Sequence, residues 1–212
     1  MLLRECRSLS QQKTFVQRAG AASGIIAPVL AFSCILVAVA SYPEFSWTEN
    51  ALSDLGVVSG VTGPVFNLGL TVSGFFILGF AVFGLFKYFG GSWVGKCGAV
   101  AFAATAVALI GIGIANENIR PFHYLFSVAF FVLLPISLFI ITAAFAVKRQ
   151  TRMVVFTLVI AVAAATPWIL FFTVHYVHGV AIPEFASALA GSVWTVTLGY
   201  KMLKTPSQSK TA

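Results

Sequence analysis

His175 and His178 stand three residues apart, a spacing that puts two imidazoles on one face of a helix. Joined by His123 and by a carboxylate from Asp54 or Glu184, they would form a three-histidine site in which zinc activates a water for hydrolysis. The H-x-x-H spacing permits that set without requiring it, since histidines at a membrane interface also hydrogen-bond lipid headgroups or loop carbonyls. Asp54, His123, His175, His178 and Glu184 are therefore the candidate catalytic residues, and His123, His175 and His178 the candidate metal ligands, with zinc the implied cofactor. A second constellation needs no metal. Ser53, Asp54, Asn67, Arg120 and His123 combine hydroxyl, carboxylate, amide, a permanent cation and a conditional one, a set suited to gripping a polar head group.

The elements that position these residues follow from composition. Of 212 residues, 59% are hydrophobic and 9% charged, whereas soluble domains carry about a quarter charged residues. The mean hydropathy is +0.96. These values describe an integral membrane protein. A helix needs roughly 20 apolar residues to cross about 30 Å of hydrocarbon while satisfying its own backbone. Six segments qualify, near 20–42, 64–89, 94–115, 121–147, 153–175 and 183–203. The predicted fold is all-α and polytopic, six transmembrane helices in one bundle. Residues 19–204 form the membrane domain with a loop at 43–63, flanked by a cytoplasmic segment 1–18 and a cytoplasmic tail 205–212. The first apolar run is too long for a signal-peptide core and is expected to remain as a helix.

Charge sets the orientation. Arg4, Arg7, Lys13, Arg18, Lys87, Lys96, Lys148, Arg149, Arg152, Lys201, Lys204 and Lys210 fall on one side of the predicted spans, and Arg120 alone on the other. Retention of Lys and Arg in the cytoplasm places both termini there. The net charge of +7 is then explained by topology and anionic lipid, with no call for nucleic acid. Glu44, Glu49, Asp54, Glu117, Glu184 and all three histidines fall on the outer side, so any chemistry is expected there. Cys6, Cys34 and Cys97 offer no outer disulfide. The interior carries the polar side chains Asn67, Ser73, Thr105, Ser127, Ser137, Thr142, Thr157, Thr166 and Thr173 but no charge at mid-depth, which argues against an ion-coupled transporter.

In the stretch SWTENALSDLG (46–56), Ser46 and Glu49 have the spacing of a capping box and Gly56 that of a helix stop, predicting a short interfacial helix over 47–55. Asp54 would then sit in its last turn, against the negative end of the dipole, and call for a partner. Arg120 and His123 are the available ones. A structural ion pair and a functional site on these residues both remain open.

The segments NALSDLG (50–56) and FNLGL (66–70), the Gly24-x-x-x-Pro28 step, His123 at the start of the fourth span, and Glu184 with Trp194 in the sixth resemble an uncharacterised family of six-helix bacterial and archaeal membrane proteins, domain of unknown function 998. The S-D-x-G loop is also similar, more distantly, to the Frag1/DRAM/Sfk1 group of eukaryotic proteins associated with lipid remodelling. The closer likeness implies fold and location, and no settled activity. The residues themselves lead to an outward-facing polar vestibule lidded by the 47–55 segment, binding a lipid or other amphiphile. The alternatives are a membrane-embedded lipid hydrolase or transferase and a structural subunit of a membrane complex. Expected partners are membrane lipids, with a homo-oligomer or a membrane complex as further options.

Overall fold

The computed structural model describes residues 2–204, with side chains from Phe15 onward, and among them every regular element is helical. The long helices are α1 (Leu2–Ala40), α2 (Thr62–Tyr88), α3 (Trp93–Ile114), α4 (Phe122–Val147), α5 (Thr151–Val174) and α6 (Ala181–Lys204). A short 3-10 turn, Leu52–Val57, interrupts the connection between α1 and α2.

Near-continuous apolar sequence makes these helices, because few polar side chains compete with the backbone for its own hydrogen bonds. Their ends follow local chemistry. Ser92 caps α3, its Oγ accepting the Gly95 N–H at 3.2 Å. Pro64 and Pro183 stand in the first turns of α2 and α6, where a missing N–H leaves no bond unmade. α5 stops at His175, which turns left-handed with φ 52°. The segment expected as a separate cytoplasmic stretch, 1–18, is helical from Leu2 and runs straight into the first span; the tail 205–212 lies outside the described residues.

Five stretches are long and apolar enough to cross a membrane: Phe15–Ala40 within α1, and α2, α3, α4 and α5. The chain is thus a multi-pass membrane protein. α6 has 24 residues but is not among the five, since Glu184, Lys201 and Lys204 reduce its apolar character. Its buried face carries polar residues, Glu184, Ser187 and Thr195.

Each helix packs beside its neighbours in sequence, and α6 returns to α1 to close a ring. Where α1 meets α2, a Cβ on Gly20 would lie 2.6 Å from the Gly84 nitrogen, so the two backbones touch. The contact coincides with a wider π turn in α2, Phe80–Leu85. α5 is the most peripheral helix: 17% of its apolar window is buried, against 50% for α3. Two apolar clusters fill the ring. One gathers Phe80, Phe102, Leu134, Leu138 and Trp194; the other gathers Ile35, Leu52, Leu55, Phe66, Leu70 and Ile112 nearer the α1–α2 connection.

Candidate functional site

Three successive residues of the α1–α2 connection each donate a hydrogen bond to a different carboxylate. The Ala51 N–H goes to Asp54 Oδ2 at 3.0 Å, the Leu52 N–H to Glu184 Oε2 at 2.7 Å, and Ser53 Oγ to Glu117 Oε1 at 2.8 Å. The acids come from the turn itself, from the first turn of α6 and from the α3–α4 link. Further bonds fix the same segment. Asn67 Nδ2 donates to Gly56 O at 2.8 Å, the His178 and Gly179 N–H groups reach Thr48 O at 3.1 and 2.7 Å, and the Ala181 N–H reaches Asn50 O at 2.9 Å. The residues around Leu52 thereby form a lid stitched to α2, α6 and both neighbouring links.

Below the lid lies a cavity of about 100 Å³, where the two apolar clusters meet. Leu52, Ser53 and Glu184 bound it at the lid end; Phe102 and Leu134 belong to its deeper wall. The helices α1, α2, α3, α4 and α6 all line it, and α5 contributes no residue. From Phe66 to Ile77 on α2 its wall runs about 16 Å at the helical rise. Most of the surface is apolar, with the hydroxyls of Ser73, Thr105, Ser127, Ser192 and Thr195 among it. Glu184 is the one ionisable residue in the lining.

The structure redraws several expectations. The short helix predicted over 47–55 is a turn starting later, at Leu52, and Ser46 does not cap it: the Ser46 N–H bonds instead to Asn50 Oδ1 at 2.9 Å. Asp54 consequently occupies the first turn, where its carboxylate closes a cap on Ala51 and accepts Asn50 Nδ2 at 2.7 Å. That is the favourable end for an acid. No ion pair joins Asp54 to Arg120 among the described residues, and Arg120 is exposed. Of the five candidate head-group residues, Ser53 alone lines the cavity; Asn67 holds the lid, and Asp54 serves the lid's own turn.

The three histidines do not converge. Among the described residues no group of three His, Cys, Asp or Glu side chains is placed to hold a metal ion. Because α5 ends at Val174, His175 and His178 do not share a helical face. His178 is exposed beside Glu49, with Nδ1 3.3 Å from Oε1. His123 is buried, its Nδ1 2.6 Å from Ala115 O. A carbonyl only accepts, so Nδ1 carries a proton, while Nε2 faces Ser127 Oγ at 3.4 Å. His123 therefore pins the α3–α4 link to the cavity wall.

Glu184 has a role that the sequence did not assign, as a buried acceptor for the lid. Ser192 and Thr195 were also missed as lining residues. A signal for them exists: Glu184, Ala188, Gly191 and Thr195 recur at helical spacing as a stripe of small and polar residues. At the opposite, basic end, Lys148 Nζ donates to Tyr88 O at 2.9 Å and lies 5.0 Å over the Phe89 ring. Burial pushes its ammonium below the usual lysine range.

No curated protein and no solved structure matches the chain. A family profile described as "Protein of unknown function (DUF998)" matches residues 25–201, from within α1 to the last turn of α6, taking in the lid and the whole cavity. The chain belongs to this family.

Proposed function

We propose that the protein holds a lipid or other amphiphile in the cavity beneath the lid, as a membrane protein of six spans with both termini in the cytoplasm. The observation that carries this reading is the cavity itself: a narrow, mostly apolar chamber with its one ionisable residue at the lid end. A concave apolar site with a few placed polar groups is the ordinary form of a small-molecule site. Support for the sixth span is the length of α6 and its packing between α5 and α1. The orientation rests on the basic residues, which gather away from the lid. In a chain with its own cysteines replaced, an impermeant reagent added outside is expected to label Ser59→Cys and spare Gly91→Cys. The opposite pattern reverses the orientation.

Occupancy is tested by mass spectrometry of protein extracted under mild conditions. An amphiphile is expected to co-purify in near-equimolar amount, and to be lost from Ala188→Phe, which fills the cavity from α6, at unchanged helix content. Equal lipid in both proteins would end this reading.

A further inference from the structure

We propose that the occupant is a single-chain amphiphile whose head group donates hydrogen bonds and carries no negative charge, an alcohol or an amine held at Glu184, with Ser73 as a second polar contact deeper in the cavity. The proposal rests on the amphiphile reading above and assigns its head group.

The charges around the lid exclude an anion. Asp54, Glu117 and Glu184 converge on Ala51, Leu52 and Ser53. Among the described residues, no lysine, arginine or histidine lines the cavity. Arg120, the candidate partner for a phosphate, is exposed on the α3–α4 link. A phosphate at this end of the cavity would meet carboxylates of its own sign and no lining cation.

Glu184 favours a donor. Its side chain is buried, and the Leu52 N–H engages one of its two oxygens. A carboxylate has about four lone-pair sites, so acceptor capacity remains toward the cavity that Glu184 lines. An ionised Glu184 pairs with an amine or accepts from a hydroxyl; a protonated one can donate to the same hydroxyl. An alcohol satisfies either state.

Ser73 supplies the independent observation. Its Oγ is buried and has no hydrogen-bond partner, and Ser73 is one of the residues that line the cavity. Other hydroxyls on these helices bond back to the carbonyl four residues earlier, as Thr71, Thr105, Thr142 and Thr195 do. Ser73 leaves that bond unmade, on a residue of the cavity wall. An unpaired hydroxyl in an apolar wall is costly until an occupant meets it. The small volume, about 100 Å³, with Phe32, Phe66, Phe102, Phe130 and Phe131 in the walls, suits one chain.

Trp194 provides the readout, since its ring lies 5.2 Å from that of Phe102 in the cavity wall. In protein carrying Trp47→Phe, Trp93→Phe and Trp168→Phe, reconstituted in discs of zwitterionic lipid, three probes of equal brominated chain length are titrated: a monoacylglycerol, an alkylamine and an alkyl phosphate. The first two are expected to quench Trp194 saturably, and the phosphate not to. Glu184→Gln should weaken the amine by about tenfold or more, consistent with loss of a charge-assisted bond, and the alcohol by less. Ser73→Ala should weaken the monoacylglycerol by up to about tenfold without lowering the melting temperature of the empty protein. Quenching by the phosphate equal to that by the other two would overturn the head-group assignment while leaving the amphiphile reading intact. Quenching by none of the three would overturn both. Unchanged binding in Ser73→Ala would remove Ser73 from the site. If Glu184→Gln fails to fold, the three-probe comparison on the parent protein and the Ser73→Ala result still decide.

Discussion

Trp194→Ala is expected to destabilise the protein by about 3–5 kcal/mol, the range for emptying a large aromatic from a packed interior. Trp194 is fully buried. Its ring makes edge contacts with Phe80, centroids 6.2 Å apart, and lies tilted against Phe102 at 5.2 Å. The indole Nε1–H donates to Thr157 Oγ1 at 3.0 Å, a polar tie between α6 and the peripheral α5. A further tie runs from Ser187 Oγ to Ala164 O. Removing the indole thus opens a void beside the cavity, leaves the Thr157 hydroxyl without its donor and loosens α5. Trp194→Phe should keep most of the packing and lose about 1 kcal/mol through the hydrogen bond. Reversible unfolding in mixed micelles measures both. A loss below about 1 kcal/mol for the alanine variant would show that the cluster does not depend on this ring.

The second large effect is expected at Gly179→Leu. A Cβ there would strike the backbone of Glu49 and Asn50, and backbone cannot step aside as a flexible side chain can. The same approach carries the bonds from His178, Gly179 and Ala181 to Thr48 O and Asn50 O. Losing two or three bonds of about 1 kcal/mol each should release the lid and speed amide exchange at Leu52 by about a hundredfold. Gly91→Ala is the control, because a Cβ at Gly91 meets nothing within 4 Å. Unchanged exchange at Leu52 in Gly179→Leu would mean that the lid is held elsewhere.

Five of the six expected spans match helices long and apolar enough to cross a membrane, legible because such a helix announces itself through composition alone. The sequence placed the start of the fourth span at Pro121 and its end at Val147, and α4 covers Phe122–Val147. The site was legible only in its inventory. Glu184 was marked as an acid on the lid side, yet its partner is an N–H 132 residues away in sequence, and no local pattern encodes that meeting. Asp54 was misread because a turn start displaced by a few residues converts a last-turn acid into a first-turn one. The His175–His178 pair failed for a similar reason: one left-handed residue, His175, ended the helix on which their shared face depended. Ser73 was recognised as interior. That its hydroxyl stays unpaired could not be read from the sequence, because it depends on what five helices pack around it.

The order of helices around the ring governs when the chamber comes into being during synthesis. Each helix emerges beside the one made before it, so most contacts are short in sequence and can form as the chain is inserted. α6 is the exception, closing onto α1, with Gly199 against Ala21 and the Phe32 and Phe185 rings 4.9 Å apart. It also carries Glu184, the acceptor for the lid. Before α6 is made, the cavity lacks its wall from Glu184 to Thr195, and the Leu52 amide lacks the carboxylate it meets in the folded chain. One 24-residue helix thus supplies both a wall of the cavity and the acceptor that fixes its lid, so the contact that closes the ring is also the one that shapes the chamber.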